Sequence, residues 1–159
     1  MSAISTRIDE YLCISLHTGN NDAFWDFVIL WNLFESRLFG SGYSPKKITA
    51  LSLKVPSEVI QKTLFYFKGR YVEKGLLNRR YELLRLRGET DKQPLVEDVL
   101  LGKQTAEDAQ IEAIIIIIGR YRNNLFHGLK EISSIDLQKE NFDIANEFLM
   151  TVLECNTKC

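Results

Sequence analysis

Apolar residues recur along this chain at intervals of three and four, the spacing of a single helical face. Phe24, Phe27, Val28, Trp31, Phe34 and Leu38 form the first such stripe. The good N-cap types Asn20, Asn21 and Asp22 precede it, and Gly40 follows as a natural stop. Pro56 suits the first turn of a second helix, and the apolar positions of VIQKTLFYFKGRYVEKGLLNRRYELLRLR carry on to Arg87, with Gly69 and Gly75 as candidate breaks. Gly88 with ETDKQP reads as a turn that closes at Pro94. Thr105 with Asp108 resembles a capping box and opens a helix that runs to Gly128. A last helix, roughly Ile135 to Cys155, carries Leu137, Ile144, Phe148 and Val152. The pattern predicts an all-α fold, an up-and-down bundle of four to six helices in one domain over residues 1–159. The isoleucines of AIIIII are β-branched and suit a strand, but no partner strand is evident, so a helix buried on two sides is preferred.

On a wheel at about 100° per residue, Ile111, Ile114, Ile115, Ile118, Tyr121, Leu125 and Phe126 fall in one arc, with Arg122 inside it. A second arc holds Ala113, Ile116 and Ile117 with Arg120, Asn123, Asn124 and His127, and Gly119 at its edge. An apolar second face suggests burial on both sides, and a homodimer contact is its simplest source. Glu35 likewise falls in the middle of the first apolar stripe. A carboxylate and a guanidinium that each face a core need partners, so Glu35 pairs naturally with Arg122. That pair is either a purely structural ion pair or a device that orients Arg122 at the mouth of a site.

Composition and charge narrow the function. At 159 residues, 45% hydrophobic and 26% charged, the chain has the proportions of a globular domain. Its longest apolar run, Ala113 to Ile118, is far too short to span a bilayer, so no membrane role is expected. The opening MSAISTRIDE carries charges where a secretory leader needs an apolar core. Three cysteines (Cys13, Cys155, Cys159) make no disulfide framework, and a reduced, cytoplasmic setting fits them. The net charge of −1 conceals an uneven distribution. Residues 57–88 hold eight bases against three acids, a net of +5, and residues 89–112 hold seven acids against Lys92 and Lys103, a net of −5. The basic third offers a positive surface to a polyanion, unless its charges merely solvate helix faces. Lys68, Arg70, Arg79 and Arg80 are its candidate RNA-binding residues, and the aromatics of LFYFKGRY either stack on bases or fill the core.

The most informative residues follow the isoleucines. Arg122-Asn123-Asn124-Leu125-Phe126-His127 resembles the R-N-x-x-x-H form of the RX4–6H signature of the HEPN superfamily (higher eukaryotes and prokaryotes nucleotide-binding), and Gly128 extends the likeness. The resemblance is anchored on about ten residues and is supported elsewhere by the helical pattern and by Glu35 on an earlier helix. It implies a HEPN-like bundle that dimerises and brings two copies of the motif into one cleft. Active members are metal-independent endoribonucleases, many of them toxins or antiviral effectors, some held by a cognate antitoxin or regulatory protein. Carried over by position, Arg122 and His127 form the catalytic pair with Asn123 in support, and Glu35, Arg120 and Asn124 are further supporting candidates. One subgroup continues as H-x-Y, whereas this chain has Leu129 there, which separates it from control through a modified tyrosine.

The chemistry suits these residue types. Attack of a ribose 2′-OH on the adjacent phosphate needs a proton acceptor and donor near neutral pH, which histidine supplies. It also needs a directed cation on the phosphorane oxygens, which a guanidinium fork supplies. The expected products are a 2′,3′-cyclic phosphate and a 5′-hydroxyl, from single-stranded or loop RNA. On an ideal helix Arg122 and His127 point about 140° apart, so two copies, or an unwinding at Gly128, would be needed to converge on one phosphate. No cofactor and no metal are expected: His17 lacks a ligand partner, and no phosphate-binding loop, dinucleotide turn or nucleophile elbow occurs. Two other readings compete. One is a non-catalytic HEPN-like module that binds RNA, nucleotide or protein; the other is an immunity-type protein whose acidic 89–112 segment meets a basic partner.

Overall fold

A computed structural model describes residues 22–126 and 138–157. Cys13, His17, Asn20, Asn21, His127, Gly128, Leu129, Ile135, Leu137 and Cys159 lie outside the described residues. The first stripe forms α1 (Asp22–Phe34), with Ala23, Phe27, Trp31 and Phe34 buried. It widens into a π turn over Glu35–Phe39 and ends at Gly40, whose φ of 60° with ψ of −72° is a backbone conformation that favours glycine. Pro45 opens the single turn α2 (Pro45–Ile48), and a short 3-10 turn follows over Thr49–Leu51.

α3 (Ser57–Tyr71) begins directly after Pro56 and does not run on to Arg87. It gives way to an antiparallel hairpin, β1 (Val72–Glu73) with β2 (Leu76–Leu77), in register Val72↔Leu77. Lys74 and Gly75 make the turn with φ of 53° and 77°, the paired positive values that a two-residue hairpin loop requires. Asn78 then caps α4 (Arg79–Glu82): its Oδ1 accepts the Tyr81 N–H at 3.2 Å, while its Nδ2 donates to the Arg70 carbonyl at 2.9 Å. The GETDKQP turn holds a 3-10 segment, Gly88–Asp91, and leads into α5 (Gln93–Leu100). α6 (Glu107–Phe126) and α7 (Lys139–Asn156) complete the described chain. At the start of α6, Gln104 Oε1 accepts the Ala106 N–H at 2.9 Å, and Ser57 Oγ bonds the Glu107 carboxylate; the expected Thr105 box is not what caps it.

The fold is mostly helical, and among the described residues the short hairpin is the only sheet. No described helix is long and apolar enough to cross a membrane. α1 lies along α7, α3 packs on both α6 and α7, and α5 packs on α6. The isoleucine run is helical, as the missing partner strand suggested. Every residue from Gln110 to Tyr121 is buried, so α6 is covered all round for three turns by its own chain. The second arc therefore needs no second subunit: Ala113, Ile116 and Ile117 are 0–1% exposed within one protomer. Gly119 has the same intramolecular explanation. A Cβ built there would sit 2.8 Å from Tyr43 Oη and 2.9 Å from two ring carbons, far inside van der Waals contact. Tyr43 is in turn wedged between Trp31 and Phe39, at centroid distances of 5.0 and 5.3 Å. Gly119→Ala should thus cost about 1–3 kcal/mol, as overpacking does, visible as a lower denaturation midpoint with unchanged slope. Shortening Tyr43 in the same chain should recover part of that loss.

Candidate functional site

The described part of the motif is the last turn of α6, and its side chains diverge to two sides. Arg122 is half-buried and borders a small cavity with Phe27, Val28, Trp31 and Asn32 of α1. Its Nη1 donates to Asn123 Oδ1 at 3.0 Å, so Asn123 holds the guanidinium directly. Glu35 does not meet Arg122 in the described structure. The π turn carries it to the following loop, where its Oε1 accepts the Tyr43 N–H at 2.8 Å. The expected Glu35–Arg122 pair is thereby replaced by a loop cap, and His127 lies outside the described residues.

Arg120 takes a different part from the one expected of it. It is 7% exposed, and its guanidinium spreads over the loop after α4: Nε donates to the Leu84 carbonyl at 2.9 Å, Nη1 to Asp91 Oδ2 at 3.4 Å and Nη2 to Asn124 Oδ1 at 3.5 Å. Burial lowers its pKa from the ordinary value, and the Asp91 charge opposes that shift. Asn124 continues the strap, with Nδ2 donating to the Leu83 carbonyl at 3.2 Å. Asp91 is the anchor of this arrangement. It is 1% exposed and accepts Arg87 Nε at 3.0 Å, Arg87 Nη2 at 2.9 Å and the Arg87 backbone N–H at 2.9 Å. Nothing in the acidic, turn-like GETDKQP marks it as buried. The rest of the acidic segment is also partly used internally. Glu112 is buried and bonded to Lys92 and Thr49, and Glu97 accepts Tyr81 Oη at 3.0 Å.

The strapped loop forms one wall of a cleft of about 320 Å³. Tyr121, Asn124 and Leu125 of α6 form another wall, and Arg70 and Tyr71 close the end of α3. Three arginines, Arg70, Arg80 and Arg85, line it, and among the described residues no carboxylate does. Arg70 and Arg80 were expected among the RNA-binding residues. Lys68, half-buried on α3, and Arg79, exposed at the start of α4, do not border the cleft, while Arg85 does so unforeseen. The cleft floor is polar yet rigid. Tyr71 and Tyr121 share a hydrogen bond of 2.5 Å between their hydroxyls, and Asn141 Oδ1 accepts Tyr66 Oη at 2.8 Å and Tyr121 Oη at 3.5 Å. Burial pushes the Tyr71 hydroxyl up to about 12 and raises that of Tyr121, so both are neutral phenols near pH 7. The larger concavity, about 410 Å³ beside Ile48, Leu53 and Ile111, is lined by Glu107, Asp108 and Glu112 and would repel a polyanion. Among the described residues no group of three or more His, Cys, Asp or Glu side chains is placed to hold a metal ion.

Leu125 borders both the arginine cleft and the Arg122 cavity, so one residue separates the two. The chain matches no protein-family model, and no match was found among curated proteins or solved structures.

Proposed function

We propose that this protein is a HEPN-like, metal-independent endoribonuclease of the toxin or antiviral-effector kind, acting on single-stranded or loop RNA in the cytoplasm. The observation that carries the reading is the cleft lined by Arg70, Arg80 and Arg85, with no carboxylate among its described lining residues, against the helix turn that begins the R-N-x-x-x-H sequence. A field of one sign in a concavity concentrates a polyanion beside Arg122. There the ribose 2′-oxygen attacks phosphorus and the bond to the 5′-oxygen breaks. The 2′-OH proton passes to one imidazole of His127, and another returns a proton to the departing 5′-oxygen. Arg122, held by Asn123, neutralises the phosphorane oxygens through its fork of N–H donors.

Two imidazoles imply two chains. With the α6 face closed internally, support for pairing comes from α1, where Ile29 and Leu33 are 58% and 42% exposed. They stand next in sequence to Val28 and Asn32, which border the Arg122 cavity. A homodimer through this face would bring two Arg122 side chains towards one axis. Incubating purified protein with RNA in EDTA and mapping the ends tests the whole reading. Cleavage with 2′,3′-cyclic phosphate and 5′-hydroxyl termini is expected, and intact RNA, or 5′-phosphate ends, would refute it. A regulatory protein or antitoxin partner belongs to this reading.

A further inference from the structure

We infer that the Arg70–Arg80–Arg85 cleft is a single-nucleotide subsite, in which the arginines hold the phosphates on either side of one unstacked RNA nucleotide. Its ligand class rests on the ribonuclease reading; its affinity for nucleotide phosphate does not.

The charge arrangement points to an anion. Elsewhere the chain pairs many of its cations: Lys62 with Glu147 at 2.7 Å, Arg87 with Asp91 at 2.9 Å, Lys139 with Asp143 at 2.7 Å, and Lys92 with Glu112. Among the described residues Arg70, Arg80 and Arg85 make no ion pair, although they come from three separate segments to one concavity. Like charges gathered without a counter-charge are unfavourable until an anion joins them. Arg70 adds a second sign, because its Nε is buried without a hydrogen-bond partner among the described residues. A buried guanidinium donor left unmade is costly, and a ligand oxygen at the cleft end would satisfy it.

The placement is also preorganised. Arg85 has a left-handed backbone, φ 54°, on a loop fixed from both flanks. Before it, the Leu83 and Leu84 carbonyls are held by Asn124 and Arg120; after it, the Arg87 N–H is held by buried Asp91. Arg80 stands on the turn capped by Asn78, which is tied to the Arg70 carbonyl. The three cations thus ride on one hydrogen-bonded frame, which lowers the cost of ordering them around a ligand. A cavity of about 320 Å³ is at the small end of ligand sites and suits one nucleotide, not a duplex. Gln138 brings an amide to its lining, the kind of group that reads base edges.

The test is fluorescence anisotropy with a short single-stranded 2′-O-methyl RNA, which cannot supply the attacking hydroxyl, across a salt series. Arg80→Ala and Arg85→Ala, both at exposed positions where folding should be unaffected, are each expected to weaken binding about tenfold. Each should also lower the slope of log affinity against log salt by about 0.7, the value for one lost phosphate contact on a single strand. Inorganic phosphate should compete only weakly, a mononucleotide better, and polyglutamate not at all. Unchanged affinity and slope in both variants would overturn the subsite, as would equal binding of duplex RNA or of polyglutamate. The two readings separate cleanly. Wild-type protein that binds through these arginines yet leaves ordinary RNA intact keeps the subsite and ends the nuclease. Wild-type protein that cuts RNA, with both variants binding normally, does the reverse.

Discussion

Replacing Asp91 with alanine should lower the stability of the fold by about 3–5 kcal/mol, the usual cost of breaking a buried ion pair from one side. The reason is what the substitution leaves behind. Arg120 is 7% exposed and lies within the run of α6 that is buried from Gln110 to Tyr121, so it cannot turn its charge to water. Without the Asp91 carboxylate its cation would be buried against carbonyls alone, and the 83–87 loop would lose three bonds to Arg87. Against a typical total of about 5–15 kcal/mol, that is a large fraction. Asp91→Asn keeps the shape and one acceptor oxygen, so it should fold with a smaller loss. Urea midpoints of the three proteins give the order directly; an Asp91→Ala variant as stable as wild type would remove the anchor role.

The same carboxyl makes an acid-range prediction. Burial acts to raise its pKa, but the Arg87 side-chain and backbone hydrogen bonds, with the Arg87 and Arg120 charges, more than offset it and hold the group below its ordinary value. A group depressed in the folded state adds stability that is complete above its unfolded pKa, about 3.9, and is lost as pH falls through the folded value. The gap in stability between wild type and Asp91→Asn should therefore be flat above about pH 5 and close below about pH 4.

What the sequence made legible, and what it hid, divides along physical lines. Periodicity found α1, α3, α6 and α7 because each buries a broad stripe, and Gly40 and Pro56 marked their punctuation since these residues act through their own backbone. The hairpin escaped because its turn is Lys74-Gly75, not the Asn-Gly or Asp-Gly that signals one, and its strands are two residues each. Glu35 sat on the right stripe but beyond the point where the helix widens, and a change of turn cannot be read from spacing. Arg120 illustrates the deeper limit. Its partners Leu84, Asp91 and Asn124 come from a loop and from its own helix, and only the folded chain shows that this arginine serves the scaffold while Arg122, two residues on, faces α1. The wheel placed both side chains correctly; it had no means to say which face would be walled by which neighbour. The second apolar arc made the same point, since a helix at the centre of its own chain and a helix at a subunit contact look alike on a wheel.

His127→Ala should abolish RNA cleavage, a loss on the order of 10²–10⁴-fold for removing a general acid or base, while leaving helicity and melting temperature close to wild type. Arg122→Lys is the sharper companion. It keeps the charge but loses the planar fork that the proposed mechanism sets on two phosphorane oxygens, so rate should fall with little change in RNA affinity. Arg122→Ala alone would be ambiguous, since half-buried Arg122 also borders α1 and its loss can unsettle packing there. Mixed dimers separate a shared site from two independent ones. If one imidazole takes the 2′-OH proton while the other protonates the leaving oxygen, a dimer of one wild-type and one His127→Ala chain lacks one of the two transfers and should be nearly as inactive as the doubly substituted dimer. If each chain works alone, the mixed dimer keeps about half the activity, and the composite site is wrong even where the nuclease is right.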